Sequence, residues 1–328
     1  MFEFKVAEEP KKEAPSGGLY DYIIIGAGPA GLSSAIYASR DGMKVLVLEK
    51  EVVGGLAATT ELIENYPGFP EGIAGEELME RMRKQAERFG TEIVEFDEVT
   101  KVEPVKKGLI RVHTAEGEEY EGKVVLLATG SQPRHLGIPG EEEFYGRGVS
   151  YCATCDGPLY KGKRVVVIGC GNSGLQEGQN LLNYASEVTF IEFLDHSPAE
   201  KILQERVMNH PKATCYFNSQ VVEIKGDEKV TAVVFKDRAT GELKEIPTDG
   251  VFIYVGYKPD TEFVKGLVEL NRWGYIKTDE KMRTNVEGVL AAGDVRADNL
   301  AQVTVAVADG CKAAMTTREY LAELKDEG

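Results

Sequence analysis

The chain predicts an α/β protein built from two three-layer units of one kind, and three observations carry that prediction. A strand, a glycine turn, a helix and a second strand follow one another from Tyr20 to Lys50. The same order returns from Lys163 to Phe193, and each run ends its second strand on an acid, Glu49 and Glu192. The third observation is length: 328 residues of 42% apolar composition suffice for roughly two domains at ~150 residues each.

In the first run, YDYIIIGAGPAGLSSAIYASRDGMKVLVLEK, Gly26, Gly28 and Gly31 form G-x-G-x-x-G between an apolar strand and a helix, and a second strand is expected over Lys44 to Leu48. The first glycine makes a tight turn, the second lets backbone approach a pyrophosphate, and the third lets helix and strand pack closely. The helix N-terminus then offers free N–H groups and the positive end of its dipole to an anion. Glu49, 18 positions after Gly31, is placed to hydrogen-bond ribose hydroxyls. In the second run, KRVVVIGCGNSGLQEGQNLLNYASEVTFIEF, Gly169, Gly171 and Gly174 repeat the pattern, and Glu192 repeats the 18-residue spacing without a gap. Both are Rossmann-like dinucleotide signatures. A chain holding two dinucleotides typically passes electrons between them, and flavin with nicotinamide is the common pair.

Further along, EELMERMRKQAERF places Leu78, Met82, Ala86 and Phe89 on one helical face, expected to pack into a core. KVVLLATG is expected as a buried strand ending at Gly130. DGVFIYVGYKP (249–259) and GVLAAGD (288–294) are expected as two more strands, the latter ending on Asp294. Ligands of open α/β sheets collect at strand carboxyl ends, which makes Gly130 and Asp294 candidates for a site.

Charge and cysteine usage narrow the function. With 38 basic against 54 acidic residues the formal charge is -16, which repels nucleic acid and anionic membrane surfaces. No run approaches the ~18 apolar residues of a membrane span, and the N-terminus lacks the apolar core of a secretory signal, so a cytoplasmic protein is expected, with residues 1–19 as a flexible tail. The five cysteines, 152, 155, 170, 215 and 311, are an odd number in a chain that does not read as secreted, which argues against a disulfide scaffold. A four-ligand zinc site lacks its second close pair, and the four histidines show no ligand spacing, so no metal is expected. A redox pair is therefore the leading reading of Cys152 and Cys155 in SYCATCDGPLY. Cys170, Cys215 and Cys311 are expected to be buried and inert.

With GAGPAG, ATG, CATCDG, the second glycine turn and GVLAAGD in this order, the chain from about Tyr20 to Leu321 resembles low-molecular-weight thioredoxin reductases. The resemblance implies two three-layer domains, the second inserted into the first. These are an FAD domain over 20–133 and 250–328, and an NAD(P)-binding-like domain over 134–249 carrying the CATC motif, with two linker strands as a hinge. Carried onto this sequence, it implies that Gly26, Gly28, Pro29, Ala30, Gly31 and Glu49 hold the ADP half of FAD. Gly54, Gly55, Leu56, Asn65, Val99, Thr129, Gly130, Asp294, Ala301, Gln302 and Val303 complete that site. Gly169, Gly171, Asn172, Ser173, Gly174 and Glu192 are the corresponding positions for a nicotinamide dinucleotide. Cys155 is implied to face the flavin, Cys152 to attack the disulfide of a thioredoxin or glutaredoxin-like partner, and Asp156 to give and take the proton. A homodimer is implied as well.

The chain departs from the family where NADPH users carry a His-Arg-Arg stretch and a further Arg: here stand Glu192, Phe193, Leu194 and Pro198. A carboxylate ~4 Å from a phosphate charge costs ~4 kcal/mol at an effective dielectric of 20. NADH is therefore expected to be favoured over NADPH. Asn172 and Gly174 replace the usual Asp or Thr and Ala, Leu56 stands where Gln is common, and Ala301 where Arg precedes Gln302. These changes leave open a ferredoxin or deazaflavin donor. An FAD-dependent dithiol oxidase and a non-catalytic flavin redox sensor are the competing functions.

Overall fold

The computed structural model describes residues 17–326. The expectation of a tail over 1–19 thus lies largely outside the described residues, and Leu19 already opens the first strand. That strand, β1 (Leu19–Ile25), leads through the glycine turn into α1 (Pro29–Arg40) and back to β2 (Val45–Glu49). Glu49 lies inside β2, one residue beyond the expected end, because its backbone pairs with Glu95. There follow α2 (Gly55–Ala58), α3 (Gly75–Arg88), β3 (Glu92–Glu95), β4 (Val99–Lys106), β5 (Leu109–Thr114), β6 (Glu119–Leu127) and β7 (Ser131–Pro133).

These strands join in the order β3-β2-β1-β6-β5-β4, and the late strand Val289–Ala291 pairs with the end of β6. β1, β2, β3 and β6 are parallel, so both faces of β1 are covered and its sequence reads as one apolar run. Tyr22 and Ile24 pack toward α1 and α3, whereas Ile23 and Ile25 face the opposite layer with Val99, Val112 and Val289. On α3, Leu78, Met82 and Ala86 are buried as the helical period predicts, and Phe89 caps the helix against the same core.

The second unit runs through β8 (Val149–Ser150), α4 (Ala153–Asp156), β9 (Arg164–Ile168), α5 (Asn172–Tyr184), β10 (Glu187–Ile191), α6 (Lys201–Met208) and β11 (Ala213–Tyr216). An antiparallel sheet of β12 (Ser219–Gly226), β13 (Val230–Asp237) and β14 (Leu243–Pro247) covers it. Next come β15 (Gly250–Ile253) and β16 (Tyr257–Pro259), then β17 (Val289–Ala291) and α7 (Val303–Asp326).

The run 249–259 is two strands, and they belong to different sheets. β15 lies between β9 and β8 in the order β11-β10-β9-β15-β8, so residues 250–253 complete the second parallel sheet rather than return to the first half. The break falls at Tyr254–Gly256, where Gly256 adopts φ +99°, and β16 then pairs antiparallel with β7. β7 and β16 are the two strands that connect the halves.

Candidate functional site

In the first glycine turn, Gly26 has φ +102°, and a Cβ there would lie 2.4 Å from Ala128 O; a Cβ on Gly31 would lie 1.9 Å from Gly26 O. Gly28, by contrast, faces open space. A turn closed on two sides and open on the third is the shape a pyrophosphate needs. Pro29 occupies the first position of α1, where its missing N–H is harmless. Ala30 is small because α7 crosses it: a Cβ on Gly310 would stand 2.1 Å from Ala30 O.

Glu49 is buried and grips this turn, accepting from Ala27 N at 2.7 Å and Glu51 N at 3.0 Å. Beyond it opens a cavity of about 290 Å³ whose lining brings together the predicted residues Gly26, Glu49, Val99 and Thr129 with Asp97 and Asp260. Asp97 adds a carboxylate to that lining, and its Oδ1 is buried without a hydrogen-bond partner. Those features fit the adenosine half of FAD.

Toward the other end, Asn65 Nδ2 donates to Gln302 Oε1 at 3.0 Å, joining two predicted residues 237 positions apart. Gly54 donates to Ala27 O at 2.9 Å, and Gly55 lies beside Gly28. Leu56, in α2, and Ala301 are exposed, and Val303 begins α7. Gly130 ends the turn after β6 with φ +67°. Asp294 receives Asn299 Nδ2 at 3.4 Å, and burial, reinforced by Asp309, pushes its carboxyl up to about 6. Arg296 bonds Asp309 at 2.6 Å in an ion pair that sequence reasoning missed.

The second turn repeats the first almost atom for atom. Gly169 has φ +103°, its added Cβ would meet Tyr254 O at 2.2 Å, that of Gly174 would meet Gly169 O at 2.0 Å, and Gly171 is open. Glu192 accepts from Cys170 N at 2.6 Å and Leu194 N at 2.9 Å. Asn172 accepts from Glu200 N at 2.8 Å, and Ser173 follows it, half-buried, in the first turn of α5. At the rim, Arg238 stacks over the Phe193 ring at 3.8 Å and donates to Phe193 O and Asn218 Oδ1. This cation comes from the β13–β14 turn, too far downstream for any motif around Glu192 to announce it.

Cys152 and Cys155 form a disulfide, with Cys152 capping α4. Cys152 N bonds Ser150 Oγ at 3.0 Å, Ala153 N donates to Tyr254 OH at 2.8 Å, and Cys155 N points at Cys152 Sγ at 3.2 Å. Asp156 ends α4 directly behind Cys155. Cys155 is exposed and Cys152 half-buried. The elements that meet the first half at residues 62–64 are α5 and α6, through Gln176 to Leu62 O at 2.9 Å and Arg206 to Glu64 at 2.5 Å. Cys170 is buried and its thiol pushed up by burial, in accord with an inert role, but Cys215 and Cys311 are only half-buried.

Tyr254 and Glu177, which hold the dithiol turn, escaped the sequence reading. A signal existed for Tyr254: laying one unit on the other places it at Ala128, a large phenol where the first cradle has a methyl group.

The family profile described as pyridine nucleotide-disulphide oxidoreductase matches residues 20–310. The thioredoxin reductase of Bacillus subtilis is 43% identical over 94% of this chain and 96% of its own length. Among solved structures, the thioredoxin reductase of Lactococcus lactis in its FR conformation superimposes with a TM-score of 0.90 at 41% identity, and that of T. acidophilum with 0.88 at 44%; each comparison covers 93% of this chain and 99% of the other. A doubled glycine cradle, a C-x-x-C disulfide and this likeness over nearly the whole chain make it a member of the pyridine nucleotide-disulphide oxidoreductases, of the low-molecular-weight thioredoxin reductase type.

Proposed function

We propose that this flavin-dependent thioredoxin-disulfide reductase takes its electrons from NADH in preference to NADPH and works as a cytoplasmic homodimer. The observation that carries the donor preference is the Glu192 bracket. Its carboxylate occupies the second cradle as Glu49 occupies the first, with two backbone N–H groups holding it in place. Free lone pairs remain to accept from ribose hydroxyls, while a 2′-phosphate would bring like charges together at a cost of ~4 kcal/mol for a ~4 Å separation at dielectric 20. Arg238 offsets part of that cost, with its Nη1 engaged by Phe193 O and Asn218 Oδ1.

The first cradle would hold FAD, whose reduced form would supply an electron pair. Two electrons and two protons convert the Cys152–Cys155 disulfide to a dithiol. The Cys152 thiolate attacks one sulfur of the thioredoxin-type disulfide, forming a mixed disulfide and releasing the other sulfur as a thiolate. Cys155 then attacks Cys152 Sγ, expelling the reduced partner and restoring the internal disulfide. Asp156 is the group that carries protons to and from the pair. Cys155 is exposed while α5 and α6 rest on residues 62–64, and β7 and β16 are the connections about which the halves would turn to bring the disulfide to the first cradle.

Anaerobic thioredoxin-disulfide reduction with NADH, NADPH, reduced ferredoxin and reduced deazaflavin as alternative donors tests this reading. Turnover with NADH above NADPH supports it. Turnover with ferredoxin or deazaflavin alone would replace the donor, and dithiol-dependent oxygen uptake without thioredoxin turnover would replace the reaction.

A further inference from the structure

Glu177 lies in α5 where the second half touches both the dithiol turn and the first half. On one side its Oε2 accepts from Thr154 Oγ1 at 3.4 Å. Thr154 stands between Cys152 and Cys155. On the other side, the adjacent Gln176 donates to Leu62 O of the first half, and Glu61 of that half acts electrostatically on Glu177. From the strand ends face Tyr254, which bonds Ala153 N, and Tyr257, which also feels Asp294. From α4, Asp156 acts on Tyr254. The charged groups named around it, Glu61, Asp156 and Asp294, are all carboxyls, and the two phenols are kept neutral by burial, so a charge on Glu177 finds no cation opposite it among these groups and opposes any thiolate formed in the turn it holds.

We propose that Glu177 is a positioning residue of the dithiol reaction: through Thr154 it holds the CATC turn, and its charge state sets how readily that turn keeps a thiolate. This rests on the reading of Cys152 and Cys155 as the redox pair. Burial pushes the Glu177 carboxyl up to about 7, with Glu61 adding to the rise and Thr154 working against it. Ionisation of Glu177 therefore falls within the working pH range. Because Glu61 belongs to the first half, docking of α5 on residues 61–64 favours protonated Glu177 and, through it, the thiolate. By linkage, the same contact takes up a proton.

The test uses full-length protein loaded with FAD, reduced chemically, freed of reductant without oxygen, and alkylated with iodoacetamide between pH 5.5 and 9. Peptides carrying Cys152 and Cys155 are followed by mass spectrometry, which separates them from the other cysteines. Glu177→Gln is expected to match the parent at pH 6 and to alkylate about three- to tenfold faster at pH 8, where the parent carries the opposing charge. Thr154→Val keeps that charge but removes a bond to it, so its inflection should move to higher pH. Profiles of Glu177→Gln and the parent that superimpose, or differ by one factor at every pH, would overturn the inference. Failure of either cysteine to alkylate after reduction would overturn the dithiol reading beneath it.

Discussion

The two glycine cradles share a backbone and differ at the rim. Gly26 and Gly169 hold φ within a degree of one another, and Glu49 and Glu192 make equivalent pairs of hydrogen bonds, one from the turn and one from the amide two residues beyond the acid. After Glu49 comes Lys50, ion-paired to Asp260 at 2.6 Å beside the large cavity; after Glu192 comes Phe193, covered by Arg238 from a distant hairpin. After β6 the first cradle has Ala128, whereas the second has Tyr254, whose phenol reaches away to the dithiol turn. Glycine spacing thus secures a phosphate-binding shape, and the rim residues decide which nucleotide is held and what the cradle is connected to.

The largest expected effect separates the electron relay from both cradles. Cys152→Ser or Cys155→Ser should lower thioredoxin turnover by at least ~10³-fold while leaving the flavin spectrum intact, since thiol exchange needs both sulfurs. Turnover surviving in either variant contradicts the relay. Next, the equivalent substitutions Gly26→Ala and Gly169→Ala should have unequal consequences. Each forces a Cβ into a carbonyl at 2.4 or 2.2 Å, but only the first should strip FAD from the purified protein. The second should spare the bound flavin and slow its reduction by nicotinamide. Loss of FAD from both variants would mean that the units are not independent.

Glu192→Gln removes the like charge from the second rim, and the NADPH-to-NADH ratio of flavin reduction rates should rise by about tenfold, equivalent to ~1.4 kcal/mol. Stability supplies a further contrast. Glu177 has its folded-state carboxyl raised from the ordinary 4.5 to about 7, so the folded chain binds the extra proton and its stability falls as pH rises through that window. Glu177→Gln should therefore stabilise the protein at pH 8 by about 2 kcal/mol and by little below pH 4.5. Thermal melts at both pH values measure this. Smallest of all, Tyr254→Phe leaves the Ala153 amide without its acceptor and should cost about 1–2 kcal/mol without releasing FAD.

Much of this architecture was legible because it depends on local grammar. Both cradles, both terminal acids and the α3 face follow from glycine spacing and apolar period, which the backbone itself enforces. The fate of residues 249–259 was less legible, since a continuous apolar run does not reveal a positive-φ break at Gly256 or which sheet each piece joins. Arg238 on Phe193, Glu177 on Thr154 and Arg206 on Glu64 were beyond reach. Each joins residues brought together by packing between elements, and no spacing rule encodes such a meeting.

Stopped-flow bleaching of the bound flavin under anaerobic conditions, with NADH and NADPH at matched concentrations, tests the central claim most directly. The Glu192 rim predicts faster and tighter-saturating reduction by NADH, with the order moving toward NADPH in Glu192→Gln. Reduction by NADPH at an equal or higher rate in the parent protein would contradict it.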